Sequence, residues 1–192
     1  MGAGPPLVSY LSSDPRYPAV FDRLVERIYS VLPGVPVDHV GSTAVAGLGG
    51  RGVLDIAVVS PLADQDQVLA ALRQVGFSDS SFAWTKPMLT SSTEYEDDTF
   101  PVLAYILAAD HPLRTGLLTT RDRLRRDPAE VQRYTAVKHE ALAAGHSTPW
   151  AYQQAKNPYL RALASGDTAD QLKPDPFEDG GLNRSLQHPL LM

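Results

Sequence analysis

Hydrophobic positions in the first half of the chain switch between helical and extended spacing. Apolar residues recur every three or four positions from Val20 to Leu32 and stop at Pro33 and Gly34, which predicts a first helix. β-Branched runs bounded by turn residues predict strands, and Asp64 and Gly76 are suited to cap a second helix. The pattern therefore predicts helices over 20–32 and 64–76, and strands over 35–40, 53–59 and 101–107.

The second half has a helical pattern. Apolar residues at helical spacing occur on both sides of Pro128, which predicts two helices that meet there. A third helix is predicted to begin at Thr148 as N-cap with Pro149 in the first turn, and Pro158 is predicted to kink or interrupt it. Residues 78–98 are predicted to form at most a weak strand and a mobile loop.

These elements predict an α/β or α+β fold, in which helices flank a small mixed sheet and a helical bundle follows toward the C-terminus. We predict a single domain over residues 1–165 and an irregular tail over residues 166–192, where Asp, Gly and Pro are frequent and core residues are few.

The composition of the chain argues against several classes of function. A net charge of −5 provides no broad basic surface, so we expect no nucleic-acid partner. The sequence contains 0 cysteines, which excludes disulfides, thiolate metal ligands and cysteine nucleophiles. No apolar run approaches the ~18 residues of a membrane span, and the first residues do not have the pattern of an export signal. We expect a cytoplasmic protein.

The loop from Gly41 to Gly52 carries the most informative chemistry. It joins two predicted strands and is rich in glycine, which lets backbone amides approach a ligand closely. Those amides and the hydroxyls of Ser42 and Thr43 are suited to hold phosphate oxygens. Asp55, on the following strand, is then placed to hold Mg²⁺ that bridges those phosphates.

This stretch resembles the signature of the GrpB family. The resemblance is carried by His39–Val45, by Gly47 and Leu48, and by Asp55 and Ile56. It continues at the turn over residues 14–18, at Arg121-Asp122, and in two Tyr-x-x-x-Lys patterns that end at Lys138 and Lys156. It covers residues 14–163. The family is placed in the nucleotidyltransferase superfamily, so the resemblance implies a nucleotide-binding fold, Mg²⁺ and a transferase activity.

The sequence departs from the pattern at several pocket positions. The usual second acid of the superfamily, two residues after Asp55, is Ala57. Ala46 replaces the family proline, and Leu103 and Tyr105 occupy the positions of a His-x-His found in many relatives. Further carboxylates are present elsewhere in the chain, but the sequence does not indicate whether any of them lies near Asp55. They are Glu94, Glu96, Asp97, Asp98 and Asp110.

Three hypotheses follow. The first is a Mg²⁺-dependent nucleotidyl or phosphoryl transferase acting on a small molecule, with Asp55 as catalytic and metal-binding residue and phosphate bound by Gly41, Ser42, Thr43, Arg51, Lys138 and Lys156. The second is a metal-free acid/base enzyme for a small specialised metabolite, using His39 and Asp55. The third is a non-catalytic module that binds a ligand. For several of these residues a structural role competes: Asp55 as acceptor for loop amides, His39 as a strand-end side chain, and both lysines as solvated helix residues.

Overall fold

The structure is a computed structural model that describes residues 7–80 and 88–165. Five α-helices and five strands make up this part of the chain. In chain order they are α1 Tyr17–Tyr29, β1 Val37–Val40, β2 Leu54–Val59, α2 Gln65–Gln74, β3 Ser78–Asp79, β4 Met88–Tyr95, β5 Asp98–Leu107, α3 Pro112–Arg126, α4 Pro128–Ala143 and α5 Pro149–Ser165.

The strands form one mixed sheet in the order β1-β2-β5-β4-β3. β2 and β5 run parallel at its centre, and the other neighbouring strands pair antiparallel. β1 is an edge strand, and the loop that follows it leads directly into the central strand β2. The Gly-Ser loop therefore lies at the edge of the sheet beside the buried central strands.

Helices cover both faces of the sheet. Alternate residues of β2 and β5, including Ile56 and Ala104, pack with α1 and α2 in one core. The other face carries Ala57 and Tyr105, which pack with residues of α3, α4 and α5. This arrangement confirms the predicted α+β fold with a C-terminal helical bundle. Side chains that point to the bundle face of β2 meet α4 and α5, and this relationship positions the candidate site.

Several predictions about single elements need correction. Residues 88–95 form the regular strand β4, in which all eight residues pair with β5. Asp64 precedes α2 without a side-chain capping hydrogen bond, whereas Thr148 caps α5 through the amide of Ala151. α5 continues through Pro158 as one helix.

The predicted tail over residues 166–192 lies outside the described residues, as does part of the predicted loop, residues 81–87. Within the described ranges, no helix combines the length and apolar character that crossing a bilayer requires.

Candidate functional site

The Gly-Ser loop brings the backbone of Gly41 against the carboxylate of Asp55. Gly41 has φ +72° and ψ −171°, a region that only glycine adopts readily. A Cβ atom on Gly41 would lie 2.5 Å from Asp55 Oδ2. β1 and β2 are paired so that Val40 lies opposite Asp55, which places the turn directly beside the carboxylate. Glycine at position 41 is thus required both by the backbone conformation and by the carboxylate.

Two lysines from the helical bundle face Asp55. Lys138 on α4 and Lys156 on α5 are only 1% and 2% exposed, so they are not solvated helix residues. The ammonium of Lys138 donates to the carbonyl oxygen of Gly49 over 2.6 Å. Each lysine also lies over the ring of the tyrosine four residues earlier, at 4.4 Å for Lys138 and 4.2 Å for Lys156. The Tyr-x-x-x-Lys spacing therefore positions two buried lysines.

Arg51 and Ser42 complete the surroundings of the carboxylate. Both line one small cavity together with Asp55, Lys138 and Lys156. A Cβ atom on Gly50 would lie 2.6 Å from Ser42 Oγ and 3.4 Å from Lys138 Nζ, so the hydroxyl and the ammonium flank the same glycine. We name Arg51, Asp55, Lys138 and Lys156 the Asp55 cluster. It combines one carboxylate with three basic side chains.

Two buried polar atoms of this cavity have no hydrogen-bond partner among the described residues. They are Oδ1 of Asp55 and the hydroxyl of Tyr152. Buried polar atoms are almost always paired in native proteins, so both point to a group that binds between them. The cavity measures about 10 Å³ in this conformation, which is room for about one water molecule. A larger ligand needs the walls to move.

Burial dominates the ionisation of the cluster. It raises the pKa of Asp55 to about 6, and Arg51, Lys156 and Lys138 limit that rise. Burial lowers the pKa of Lys138 to about 7. The same effect, added to by Lys138 and Arg51, lowers the pKa of Lys156 well below its ordinary value. Such values near neutrality suit groups that exchange protons or bind anions.

The N-terminal segment covers the loop side of this cavity. Leu11 and Gly50 exchange two backbone hydrogen bonds of 2.7 and 2.9 Å. The amide of Val8 donates to the carbonyl oxygen of Ser147, and the ring of Tyr10 packs on His139 at 4.2 Å between centroids. The sequence does not predict this cover, because residues 7–11 carry no motif or periodic pattern that indicates a contact with the loop.

His39 and Thr43 lie on the opposite side of the Gly-Ser loop. The ring of His39 stacks on Phe21 of α1 at 4.6 Å, and its Nε2 lies 3.0 Å from the hydroxyl of Thr43. That hydroxyl donates to the carbonyl oxygen of Val53. The hydroxyl of Thr43 has a single proton, which it uses in this bond. Nε2 of His39 is therefore the donor in the hydrogen bond between His39 and Thr43. Burial, with Arg125 and Arg121, lowers the pKa of His39 to about 4, so the ring is neutral.

The structure thus brings together Ser42, Arg51, Asp55, Lys138 and Lys156 with the backbone of Gly41, and separates His39 and the Thr43 side chain from them. Tyr152 joins the site without having been predicted as a site residue. Its signal in the sequence is the second Tyr-x-x-x-Lys pattern, in which the tyrosine supports the lysine and reaches the same cavity.

The donor set does not fit Mg²⁺. The ion prefers several oxygen ligands in octahedral geometry, and Asp55 faces three basic groups instead of further carboxylates. On β5 the residue paired with Asp55 is Leu103, and Tyr105 pairs with Ala57. Glu96 and Asp98 form ion pairs with Arg16 at the β4–β5 turn. Across residues 7–80 and 88–165, no three acidic, histidine or cysteine side chains come together as metal ligands.

Relatives of known sequence match along most of the chain. A UPF0157 protein of Pseudomonas aeruginosa is 29% identical over 171 residues, which cover 82% of this chain and 69% of that protein. A UPF0157 protein of Halalkalibacterium halodurans is 42% identical over 74 residues, a match that spans 37% of this chain and 38% of that protein.

Solved structures match the fold. The conserved protein GrpB from Enterococcus faecalis aligns with a TM-score of 0.65 at 17% identity, over 82% of this chain and 96% of that one. A cytoplasmic RNA terminal U-transferase aligns with a TM-score of 0.51 at 17% identity, over 78% of this chain and 49% of the enzyme. These likenesses establish a nucleotidyltransferase-like fold.

The sequence profile described as "GrpB protein" matches residues 8–165, which include every residue of the Asp55 cluster. The chain belongs to the GrpB family.

Proposed function

We propose that the Asp55 cluster binds the phosphate groups of a small molecule, and that the chain is a transferase that moves a nucleotidyl or phosphoryl group from a nucleoside triphosphate to a small acceptor. The observation that carries this proposal is the enclosure of one carboxylate by Arg51, Lys138 and Lys156 beside the Gly-Ser loop. The cluster holds more basic than acidic groups, and an anion is the ligand that balances them.

Lysine and arginine are the side chains that bind phosphate most often, and buried cations bind it more strongly than exposed ones. Lys138 and Lys156 approach from two helices and Arg51 from the loop, so a phosphate group meets basic groups from separate directions. We propose that these three side chains neutralise the charge that develops on the transferring group, a task that metal ions perform in many transferases.

Asp55 is proposed to accept the proton of the acceptor hydroxyl while the hydroxyl oxygen bonds to the transferred phosphorus. Pyrophosphate leaves in nucleotidyl transfer, and the nucleoside diphosphate leaves in phosphoryl transfer. The Asp55 pKa of about 6 leaves this residue mostly ionised at neutral pH and still basic enough to take a proton during the reaction. The fold likeness to a terminal U-transferase and to a poly(U) polymerase described as selective for UTP makes nucleoside triphosphates the first ligands to test.

The test is calorimetric titration with ATP, GTP, CTP, UTP and pyrophosphate, each in Mg²⁺ and in EDTA. The proposal predicts binding in both conditions, and its loss in Lys156→Met and Lys138→Gln. Binding that requires Mg²⁺ would mean that the cations do not suffice. Absence of binding to all five ligands in both conditions would contradict the proposal.

A second candidate function is supported by the small cavity and the shifted pKa values. Metal-free acid/base chemistry on a small metabolite needs an acid and a base that titrate near neutrality. Asp55 at about 6 and Lys138 at about 7 supply such a pair, in place of the predicted pair of His39 and Asp55. This candidate predicts that the five phosphate ligands do not bind, whereas small carbonyl or hydroxy compounds protect the protein against thermal unfolding.

A further inference from the structure

A larger cavity lies on the other side of the Gly-Ser loop. It measures about 680 Å³ and is formed by α1, β1, the loop and α3, a size typical of sites for small organic molecules. We name it the α1 cavity. The residues that line it include Phe21, Val37, His39, Val45, Ala46 and Arg125. The loop separates it from the Asp55 cluster, which faces the helical bundle.

The cavity walls are mainly apolar. Phe21 and the neutral His39 stack with an angle of 8° between their rings and form one continuous aromatic wall. Val37 and Val45 extend this apolar surface. A wall of this kind favours a ligand with an apolar or aromatic body, since such a ligand removes apolar surface from water on both sides.

Arg125 lines this cavity and forms no ion pair with a carboxylate among the described residues. Its Nε donates to the carbonyl oxygen of Ala44 over 2.8 Å, and it makes no ion pair within the described part of the chain. The neighbouring Arg121 differs, because it pairs with Asp122 at 2.7 Å and donates to the carbonyl oxygen of His39. Arg125 is also exposed, which leaves its guanidinium accessible to a ligand.

Most acidic groups of the cavity are already paired. Asp14 pairs with Arg16 and Asp38 with Arg114, each at 2.8 Å. Asp22 lies exposed on α1, across the cavity from α3. The charge available for a ligand is therefore positive on the α3 wall, where Arg125 lies.

The loop adds backbone donors at the same wall. Ala46 and Gly47 line the cavity, and their backbone N–H groups make no backbone hydrogen bond within the described ranges. Val45 has φ −119° and ψ 116°, a conformation that accepts a following proline.

We propose that the α1 cavity is a second binding site, for a small organic acid with an apolar or aromatic body. The carboxylate pairs with Arg125 and accepts from the Ala46 N–H, and the body of the ligand packs on the wall of Phe21 and His39. The proposal stands independently of the phosphate-binding function, because none of these residues belongs to the Asp55 cluster.

The test uses 1-naphthoate, 4-phenylbutyrate and benzoate against their uncharged amides, titrated by calorimetry and by ligand-observed NMR. The acids are expected to bind at least about tenfold more tightly than the amides, the effect of one charge-assisted hydrogen bond. Arg125→Gln should remove this preference. Arg126→Gln, which changes an exposed arginine of the same helix, should keep it.

Ala46→Pro supplies a second variant, for which the preceding residue Val45 already has a suitable extended conformation. It removes one N–H and adds ring atoms at the wall, so it should weaken acid binding while the folded state is kept. Lys156→Met should leave acid binding unchanged, which separates this site from the phosphate site. No acid preference in the wild-type protein, or equal loss in Arg125→Gln and Arg126→Gln, would overturn the proposal.

Discussion

His39 and Asp55 lie on neighbouring strands but point to opposite faces of the sheet. The register pairs His39 with Ile56 and Val40 with Asp55, so the histidine meets α1 and the aspartate meets the helical bundle. Both residues adjoin the same loop in sequence. The sheet nevertheless separates them into two sites with different chemistry.

The first prediction concerns this separation. His39→Asn is expected to leave the affinity of the Asp55 cluster for sulfate unchanged within about twofold, the usual tolerance for independent sites. Asp55→Asn should change it. Calorimetry measures both, with thermal unfolding as a control for folding. A loss of similar size in both variants would instead support a shared acid/base pair.

The second prediction concerns the pH dependence of anion binding. Sulfate affinity should fall as pH rises from 5 to 9 by at least about tenfold. Asp55 becomes a repelling carboxylate above its pKa of about 6, and Lys138 loses its charge above about 7. Sulfate keeps its charge over this range, so the protein alone causes the change. Asp55→Asn should lack the lower step. A flat or rising affinity would contradict the assignment.

The third prediction concerns the stability of the protein with Asp55 replaced. The pKa of about 6 in the folded protein lies above the ordinary aspartate pKa of 3.8. The contribution of Asp55 to stability is therefore fully present below the unfolded pKa and is lost as pH rises through 6. Asp55→Asn should be more stable than wild type at pH 8 by up to about 3 kcal/mol, with the difference shrinking toward pH 4. Urea unfolding at both pH values checks this, and an opposite trend would count against it.

The fourth prediction is that Lys156 lowers the stability of the protein and is needed for phosphate binding. Burial lowers the pKa of this lysine, so its charged form is disfavoured in the unliganded protein. Lys156→Met should raise the free energy of unfolding by about 1–4 kcal/mol, as for other buried charged groups replaced by apolar ones. It should also abolish phosphate binding. Arg126→Met is the exposed control and should change stability by less than about 0.5 kcal/mol.

The fifth prediction concerns two glycines of the loop. Gly41→Ala should destabilise the fold by at least about 2 kcal/mol, since the added Cβ would strain the backbone and lie 2.5 Å from Asp55 Oδ2. Gly47 has φ +78° with nothing within 4 Å of the added atom, so Gly47→Ala should show only the backbone cost of about 1 kcal/mol. Denaturant unfolding measures both, and equal costs would mean that the carboxylate does not constrain position 41.

Much of the fold follows from the sequence, for reasons visible in particular residues. Val53–Val59 is an apolar run interrupted only by Asp55, typical of a central strand covered on both faces, and it contains β2. Pro128 separates α3 from α4 as expected, with Asp127 capping α4. β4 was predicted as at most a weak strand, because Thr90–Thr93 are polar residues whose strand pairing depends on β5, a long-range contact.

The sequence indicates which residues form the site better than it indicates how those residues are arranged. The Gly-Ser loop and the lysine spacing indicated Ser42, Asp55, Lys138 and Lys156, which the fold brings together. The side of the sheet on which His39 lies depends on strand register, since a shift of one residue exchanges the two faces. The burial of the lysines depends on helix packing, which no local pattern gives.

The most direct test of the central claim is a crystal structure of the protein with pyrophosphate in EDTA. The account predicts a phosphate group between Lys138 Nζ, Lys156 Nζ and Ser42 Oγ, with the segment over residues 7–11 moved away from Gly50. Pyrophosphate bound elsewhere, or bound at Asp55 only when Mg²⁺ is added, would contradict it.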